Sequence, residues 1–573
     1  MADDQERAFL DWFTSHGGWI DSRLSLQKIP GMGRGLVAQS AISENERLFT
    51  IPRSMLMNLG TSGLQAACEA AEREKAPREG LAWKDIFDRG WCALILMLMW
   101  EQWRASLQGE TMSMAWGPYF GIMPSEFSTP MFWTPDQLKM LQGTDIEDKI
   151  ARAEAEEDYH THVRPYIEQY PHVFVGHVSD AQAVIEQYYH MDIYHRMGSS
   201  ILSRSFHVKR DLSHAEPDEA DISSAPAEVA LERAMPRGDE GDEVDHEESA
   251  EIDVDENDQS DEEESDEDIR DISMVPMADM LNAKFGSENT RCFYKREALE
   301  MRCTKPIQVG EQLLNTYGNP PNSDLLRRYG FVDEPNRGDL GTLSYLTLVE
   351  LPATTVLEAA VAKMVQITGA PQDTIAAHLG QRFEWACTEL GMEEVFLLAR
   401  LSTPTPTVPF GSTLNLQPGK LSSSQKRILS RSAGEVPDEL VGFARLLCVS
   451  QAGFERAQKR DALPSARLDA VEALDESWPG SPPVGAALAV ASLLADAVQR
   501  RASAYPTSWP ETASQLDACA PSTDDPCRMA LVVRAGDQVI LDEHHRLFSL
   551  LLAHARAEAA PSTAASSVKK VRK

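Results

Sequence analysis

The sequence predicts an α+β fold, in which a β-containing domain carries a helical insertion and is followed by an all-helical C-terminal domain. Strand-like composition occurs at residues 31–52 and again at 291–316, and a mainly helical pattern from about residue 60 to 205 lies between them. From residue 346 onward the pattern is Ala- and Leu-rich and helical. A chain of 573 residues also exceeds what one hydrophobic core usually supports, so we expect two folded domains.

The N-terminal elements are a short helix and two strands. Residues 3–20 place apolar side chains at helical spacing behind the acidic pair Asp3–Asp4, and acidic residues favour a helix N-terminus. In residues 31–57, glycines then punctuate alternating apolar residues, and the run Arg47–Ile51 ends at Pro52. This pattern predicts two short strands with a tight glycine turn.

The helical insertion contains a segment, Trp91–Trp103, that is apolar nearly all round and is therefore predicted to be a buried helix. Residues 211–271 lose periodicity and collect Asp, Glu, Ser and Pro with almost no aromatic residue. Such a segment cannot bury enough apolar surface to offset its conformational entropy. The sequence therefore predicts a disordered acidic linker at 211–271.

The elements after the linker are three strands and then helices. Strand-like composition returns at Arg291–Lys295, Leu299–Thr304 and Gln312–Thr316. We therefore place the first domain at residues 1–345, a helical domain at 346–560 and a basic tail at 561–573.

The charge distribution constrains the class of partner. The net charge is −35, but residues 239–271 hold 20 acidic residues and one basic residue, so more than half of the charge is local. An acidic chain repels phosphate backbones and attracts basic proteins over roughly 8 Å at physiological salt. We expect a basic protein partner and no direct nucleic-acid binding. The acidic linker itself is either a passive connector or a lure for a Lys/Arg-rich substrate.

The cysteines and apolar runs constrain the compartment and the cofactor. The eight cysteines are dispersed, with no CxxC pair or Cys/His cluster at zinc-ligand spacing, so we expect a reduced compartment and no metal. The N-terminus does not have a signal-peptide pattern, and the longest apolar runs are too short to span a bilayer. We expect no membrane association.

The residues that indicate chemistry occur in two places. GMGRG at 31–35 is weak evidence alone, because glycines are common in turns, and it precedes a strand instead of the helix that a dinucleotide fingerprint requires. About 240 residues later, Asp279, Asn282, Tyr317 and Tyr329 follow at spacings that packing would not demand. Individually, Tyr329 and the nearby Phe331 could be core aromatics, and Asn282 could be a turn or cap residue. Their ordered occurrence together favours a functional site.

At these residues the sequence resembles SET-domain protein lysine methyltransferases of the Rubisco large-subunit methyltransferase type. The resemblance rests on GRGLVA (33–38), SRSF (203–206), VPMADMLNA (275–283), NTYG (315–318) and RRYGFV (327–332). It covers residues 1 to about 345. Residues 116–144 narrow it to the branch that contains fungal ribosomal lysine N-methyltransferase 4. The resemblance implies a SET-domain β-fold with a helical insertion, a helical substrate-binding domain and S-adenosylmethionine as methyl donor, without a metal.

The resemblance also implies individual roles. Tyr317 would be catalytic, beside the transferred methyl group. Ala283 stands where many relatives have histidine, so a side-chain role there is in doubt. The implied cofactor-binding residues are Met32, Gly33, Arg34, Arg204, Asn282, Ala283 and Tyr329, and the implied substrate-binding residues are Trp91, Asp279 and Tyr294. Arg204 could instead be a solvated helix charge, and Trp91 could be a core residue.

Elementary chemistry is consistent with these roles. Methyl transfer from a sulfonium needs a neutral amine, and neutralising lysine at pH 7 costs about 4.6 kcal/mol in water. A narrow aromatic channel disfavours the ammonium by desolvation, and phenol oxygens can aim the nitrogen lone pair. Alignment and exclusion of water would supply most of the acceleration.

We therefore predict an S-adenosylmethionine-dependent protein-lysine N-methyltransferase that acts on a lysine of a large-subunit ribosomal protein. The alternatives are a protein-histidine methyltransferase and a non-catalytic module that binds basic proteins. The basic cluster Lys569–Lys573 is either a frayed tail or a nuclear import signal. Because the resemblance includes ribosome-linked members, we predict a nuclear location, with the cytoplasm as a second compartment.

Overall fold

The computed structural model describes residues 4–107, 116–208, 272–284, 286–317, 320–332, 348–401, 423–464, 468, 486–519 and 525–559. The chain divides into two compact units: Met1–Trp133, Asp148–Pro320 and Asp324–Phe331 form the first, and Thr134–Glu147, Pro321–Ser323 and Val332–Lys573 form the second. The predicted acidic linker and basic tail lie outside the described residues. Among the described residues, no helix is both long and apolar enough to cross a membrane.

The first unit opens with the predicted helix and a hairpin. The elements are α1 (Asp4–Ser15), β1 (Trp19–Ile20), β2 (Leu24–Ile29), β3 (Gly33–Ala38) and β4 (Arg47–Pro52). Strands β2 and β3 pair antiparallel, with Ile29 opposite Gly33. Gly31 and Gly33 both have φ +72°, a left-handed conformation that glycine adopts without steric cost. The tight glycine turn is therefore confirmed.

The segment predicted to be helical forms α-helices of 4 to 15 residues, the longest of which is apolar. They are α2 (Leu64–Glu74), α3 (Trp83–Phe87), α4 (Cys92–Ser106), α5 (Gly117–Ile122), α6 (Pro135–Leu138), α7 (Ile146–Lys149), α8 (Arg152–Asp158), α9 (Arg164–Gln169), α10 (Pro171–Phe174), α11 (Ala181–Tyr188) and α12 (Met191–Arg204). In α4, residues 92–101 and Trp103 are all buried. The buried helix predicted from an apolar pattern on every face is confirmed.

The remaining strands complete the sheets of the first unit. They are β5 (Ser205–His207), β6 (Ile272–Met274), β7 (Asn282–Ala283), β8 (Thr290–Tyr294), β9 (Ala298–Cys303) and β10 (Leu314–Asn315). The largest sheet has the order β1-β4-β9-β8, so the N-terminal strands pair with strands more than 240 residues later in the chain. Strands β5 and β6 pair antiparallel, and β7 and β10 pair parallel.

The second unit is mainly helical. Its later elements are β11 (Leu348–Pro352), α14 (Ala353–Thr368), α15 (Gln372–Leu390), β12 (Val395–Ala399), α16 (Ser423–Ala433), α17 (Asp438–Cys448), α18 (Gln451–Arg460), α19 (Ala486–Ala502), α20 (Trp509–Ala518) and α21 (Pro526–Ala559); the short helix α13 (Asn322–Asp324) precedes them.

The prediction of an all-helical C-terminal domain is wrong in one respect, because β11 and β12 form an antiparallel two-stranded sheet. Their side chains alternate between more and less buried positions, as expected for strands. The Leu-rich composition of these five-residue segments concealed that alternation. The fold class as a whole is α+β, as predicted.

Residues 134–147 belong to the second unit although they lie inside the predicted helical insertion. Arg501 Nη1 donates a hydrogen bond of 2.7 Å to the carbonyl of Gly143, and Arg534 donates to the carbonyl of Met140. This early segment is therefore held by side chains from α19 and α21.

Candidate active site

The first part of the site joins the glycine hairpin to the late strands. Asn282, at the start of β7, donates from Nδ2 to the carbonyl of Arg34 at 3.1 Å and to Gln312 Oε1 at 2.8 Å. Gln312 Nε2 lies 3.6 Å from Met32 Sδ. Met32 and Arg34 of the glycine hairpin therefore meet Asn282, which follows Arg34 by 248 residues, through one amide network.

Glycine is required at the centre of this network. A Cβ on Gly35 would collide with Gln312 Oε1 and would lie 2.9 Å from Asn282 Nδ2. At Gly33 the opposite holds, because a Cβ there would find nothing within 4 Å. The main chain at Gly33 therefore borders open space, which a flat ligand could approach closely.

The Arg34 side chain is directed to the N-terminal helix and to α5. Its Nη1 donates to the carbonyl of Ile122 at 3.1 Å, and its Nε lies 3.4 Å from a carboxylate oxygen of the buried Glu6. The guanidinium is thus occupied by protein groups. A ligand at Arg34 would therefore meet its main chain and not its guanidinium group.

The second part of the site is a buried carboxyl group. Asp279 lies in a short 3-10 turn, Ala278–Met280, and its Oδ2 accepts a hydrogen bond of 2.8 Å from the hydroxyl of Tyr119 in α5. Arg204, the last residue of α12, donates from Nη1 to the Asp279 carbonyl at 2.6 Å and lies 3.9 Å from Oδ2. Burial raises the pKa of Asp279 to about 6, although Arg204 and the Tyr119 hydroxyl oppose that rise.

Local pairing explains how Arg204 reaches Asp279. Strand β5 begins directly after Arg204 and pairs with β6, with Ser205 opposite Met274. Met277 then adopts φ +77°, a conformation that is uncommon outside glycine and that sharply redirects the chain. Asp279 follows two residues later.

The third part is a stacked pair of tyrosines. The rings of Tyr317 and Tyr329 have centroids 4.3 Å apart with an interplanar angle of 16°. The Tyr317 hydroxyl donates to the carbonyl of Leu281 at 3.0 Å, one residue before Asn282. Burial raises the pKa of Tyr317, so its phenol is protonated at neutral pH. Tyr329 ends a π-helical turn that Gly330 terminates in a left-handed conformation.

The remaining predicted residues lie around these three parts. Ala283 pairs with Asn315 between β7 and β10, so its backbone is part of the site's frame, while its methyl group brings no polar function. Tyr294 is the last residue of β8, opposite Leu299. Trp91 lines a cavity of about 330 Å³ that α8, α12 and Arg327 also border. Neither Tyr317 nor Asp279 lines this cavity.

Two residues of this arrangement were missed from the sequence. Tyr119 lies in the WGPYF segment that the resemblance included, yet no spacing connected it with Asp279, 160 residues later. Gln312 was predicted only as a strand residue. The sequence feature that could have indicated a site role for Gln312 is a polar side chain in an apolar strand directly before NTYG.

The arrangement suits transfer chemistry at a buried polar centre. It combines neutral phenols, one buried carboxyl, one arginine and an open edge at a glycine backbone. Among the described residues, no group of three His, Cys, Asp or Glu side chains is placed to hold a metal ion.

Comparisons with known proteins agree with this fold. No family model matches the chain. The sequence is 27% identical over 323 residues to the N-lysine methyltransferase setd6 of Xenopus laevis, covering 55% of each chain. It is also 27% identical over 321 residues to the ribosomal lysine N-methyltransferase 4 of Saccharomyces cerevisiae, covering 56% of this chain and 53% of that protein. The chain thus spans about half the length of these curated relatives.

A solved structure, the SET domain of LSMT bound to methyllysine and AdoHcy, matches 96% of this chain and 93% of its own, with a TM-score of 0.53 and 14% identity. At that identity the likeness concerns the fold. The chain therefore has the fold of a SET domain, and its sequence is similar to those of lysine N-methyltransferases, in agreement with the resemblance that its motifs indicated.

Proposed function

We propose that the protein is a lysine N-methyltransferase that uses S-adenosylmethionine and acts on a basic protein. The observation that carries the proposal is the meeting, within one unit, of the Asn282 network, the buried Asp279 and the Tyr317–Tyr329 stack. These groups come from segments that match the methyltransferase motifs. Two curated relatives, each 27% identical over the matched residues, are named as lysine N-methyltransferases.

The residues present fit the methyl donor. Gly33 offers main chain beside open space, and Asn282 holds the neighbouring backbone at Arg34. Arg204 is a cation suited to a carboxylate, and Tyr329 presents an aromatic ring. When bound, S-adenosylmethionine supplies an electrophilic sulfonium methyl group. We assign its binding to Met32, Gly33, Arg34, Arg204, Asn282, Ala283 and Tyr329.

Tyr317 would orient the acceptor amine. Because its hydroxyl proton is donated to the Leu281 carbonyl, the lone pairs of the phenol oxygen are available to accept a hydrogen bond from an amine. The pKa of Tyr317 is raised by burial, so it acts as a neutral acceptor and not as a phenolate base. A fixed acceptor in a dry site aligns the nitrogen lone pair, which is where we expect most of the rate enhancement.

We propose a large-subunit ribosomal protein as substrate. The support is the name of the yeast relative, together with the chain's net charge of −35, which favours a Lys/Arg-rich partner. In this proposal Trp91, Asp279 and Tyr294 contact the substrate.

The test is transfer of a radiolabelled methyl group to ribosomal proteins extracted from cells that lack this gene. We expect wild-type protein to label one band and Tyr317→Phe to label it at least 100-fold more slowly, since alignment of the amine is lost. Tyr170→Phe is the matched control, because the hydroxyl of Tyr170, like that of Tyr317, donates to a backbone carbonyl, in this case that of Lys75 at 2.9 Å.

The outcomes separate the alternatives. Equal labelling by wild type and a folded Tyr317→Phe variant would remove Tyr317 from catalysis. If mass spectrometry locates the methyl group on a histidine, the acceptor is histidine and not lysine. Absence of both labelling and S-adenosylmethionine binding in calorimetry would favour a non-catalytic module that binds basic proteins.

The nuclear location stays a prediction that rests on residues 569–573. A fluorescent fusion of the full chain should be nuclear, and a variant with the four basic residues of this cluster changed to serine should spread to the cytoplasm. Equal distributions would refute the role of the cluster.

A further inference from the structure

The two carboxylate oxygens of Asp279 differ in their hydrogen bonding. Oδ2 is held by the Tyr119 hydroxyl at 2.8 Å and lies 3.9 Å from Arg204 Nη1. Oδ1 is buried and has no hydrogen-bond partner among the described residues. The side chain as a whole is almost fully buried. Oδ2 is therefore fixed by the protein, whereas no donor among the described residues reaches Oδ1 in hydrogen-bonding geometry, although the backbone N–H groups of Asp279 and Met277 lower the pKa of the carboxyl group.

A buried carboxylate oxygen without a partner is costly, and a donor that arrives with a ligand would remove that cost. The Tyr317 hydroxyl donates to the carbonyl of Leu281 at 3.0 Å, two residues after Asp279, and Arg204 donates to the Asp279 carbonyl at 2.6 Å, so the carboxyl group and the stacked tyrosines belong to the same part of the site. A substrate amine oriented by Tyr317 would bring N–H donors to this part of the site.

We propose that Asp279 Oδ1 accepts the proton that the substrate ammonium must lose, and that Tyr119 is a positioning residue that holds the carboxylate for this transfer. The inference rests on the proposed function and adds the proton acceptor to it.

The step balances without a further reagent. One N–H bond of the lysine ammonium breaks, an O–H bond forms on Oδ1, and the electron pair stays on nitrogen as the lone pair that attacks the methyl carbon. The neutral Asp279 carboxylic acid then releases its proton to water that enters after product leaves.

The electrostatic surroundings favour this role. Burial raises the pKa of Asp279 from 3.8 to about 6, closer to the ordinary lysine value of about 10.4. The titratable or charged groups that face it are Tyr119 from α5, Arg204 from α12 and Tyr317. Arg204 and Tyr119 stabilise the ionised form, so removing the Tyr119 hydroxyl should raise the pKa of Asp279 further.

The test compares Asp279→Asn, Tyr119→Phe and a control, Tyr166→Phe, in the full chain. Asn keeps the shape of the side chain and an acceptor for the Tyr119 hydroxyl. Tyr166 is the matched control because it is fully buried and its hydroxyl also donates to a carboxylate, that of Glu72 at 3.0 Å. Calorimetry with S-adenosylmethionine establishes that each variant is folded and binds the donor.

The first readout is the pH dependence of the methylation rate on extracted ribosomal proteins. We expect the methylation rate of the wild type to fall as the pH is lowered, with a midpoint near pH 6. In Asp279→Asn this fall at acidic pH should be absent, and the maximal rate should be about 10²- to 10⁴-fold lower, which is the usual contribution of a general base. Tyr119→Phe should move the midpoint upward by about one to two pH units while keeping a plateau, because a hydrogen bond to a charged group is lost.

The second readout needs no ligand. A carboxyl whose folded pKa is raised contributes stability that is full at low pH and is lost as pH rises through about 6. The urea midpoint of wild type relative to Asp279→Asn should therefore fall between pH 4 and pH 7. In Tyr119→Phe this fall should extend to higher pH, and in Tyr166→Phe it should coincide with wild type.

Two results would overturn this inference and leave the proposed function unaffected. One is an Asp279→Asn variant that methylates within twofold of an active wild type. The other is a Tyr119→Phe variant whose rate and stability profiles match those of Tyr166→Phe. A wild type that methylates no ribosomal protein would instead refute the proposed function, and the inference with it.

Discussion

The requirement for glycine at position 35 offers a sharp test of the site's frame. In Gly35→Ala, the new Cβ would occupy the place of Gln312 Oε1 and crowd Asn282 Nδ2 at 2.9 Å. Gln312 is a flexible side chain and can move, but only by giving up its 2.8 Å hydrogen bond from Asn282.

The magnitude follows from these two effects. The lost hydrogen bond costs about 1 kcal/mol net. Overpacking costs about 1–3 kcal/mol more, because Ile29 Cγ1 also lies 3.0 Å from the new methyl group and limits relaxation. We expect Gly35→Ala to lower the free energy of unfolding by about 2–4 kcal/mol. Donor affinity should fall about fivefold or more as Asn282 loses its alignment.

The assay is urea denaturation together with calorimetry with S-adenosylmethionine. Gly121→Ala is the control, because Gly121 lies in α5 and a Cβ there meets nothing within 4 Å. The control should be neutral or slightly stabilising, since alanine favours helix. If Gly35→Ala is as stable as Gly121→Ala and binds the donor like wild type, our account of the network is wrong.

The remaining predictions concern a hydrogen bond, an aromatic stack and a buried ion pair. Asn282→Ala removes two hydrogen bonds and should weaken donor binding about tenfold in calorimetry; unchanged affinity would contradict the assignment. Tyr329→Leu should destabilise by about 0.5–1.5 kcal/mol in urea through loss of stacking, whereas Tyr329→Phe should retain it, and equal losses would argue against the stack. Glu543→Ala removes the carboxylate that Arg400 Nη2 contacts at 2.7 Å in the second unit, and it should lower the free energy of unfolding by about 3–5 kcal/mol, measured from the urea midpoint; a loss below 1 kcal/mol would refute this prediction.

The sequence predicted elements that have a local pattern. The helix with apolar residues on every face, Cys92–Ser106, and the glycine turn before β3 follow from composition and spacing, because burial and left-handed backbone constrain residue type directly. The paired strands β11 and β12 could not be predicted in this way, because each has only five residues and a composition that also occurs in helices.

The site was predicted in part. Asn282, Tyr317 and Tyr329 stand in recognisable motifs, and the structure places them in contact with the main chain or with each other. Tyr119 was missed because its role depends on a tertiary contact with Asp279, and no local signal encodes a contact across 160 residues.

The position of residues 134–147 has a consequence during protein synthesis. Gly143 accepts a hydrogen bond from Arg501, 358 residues further along the chain. At about 5–20 residues per second, a translating ribosome would need roughly 20–70 s to make that partner after Gly143 appears. During that interval the nascent segment, including Leu141 and Ile146, which are buried in the finished protein, must remain uncovered or be shielded by a chaperone.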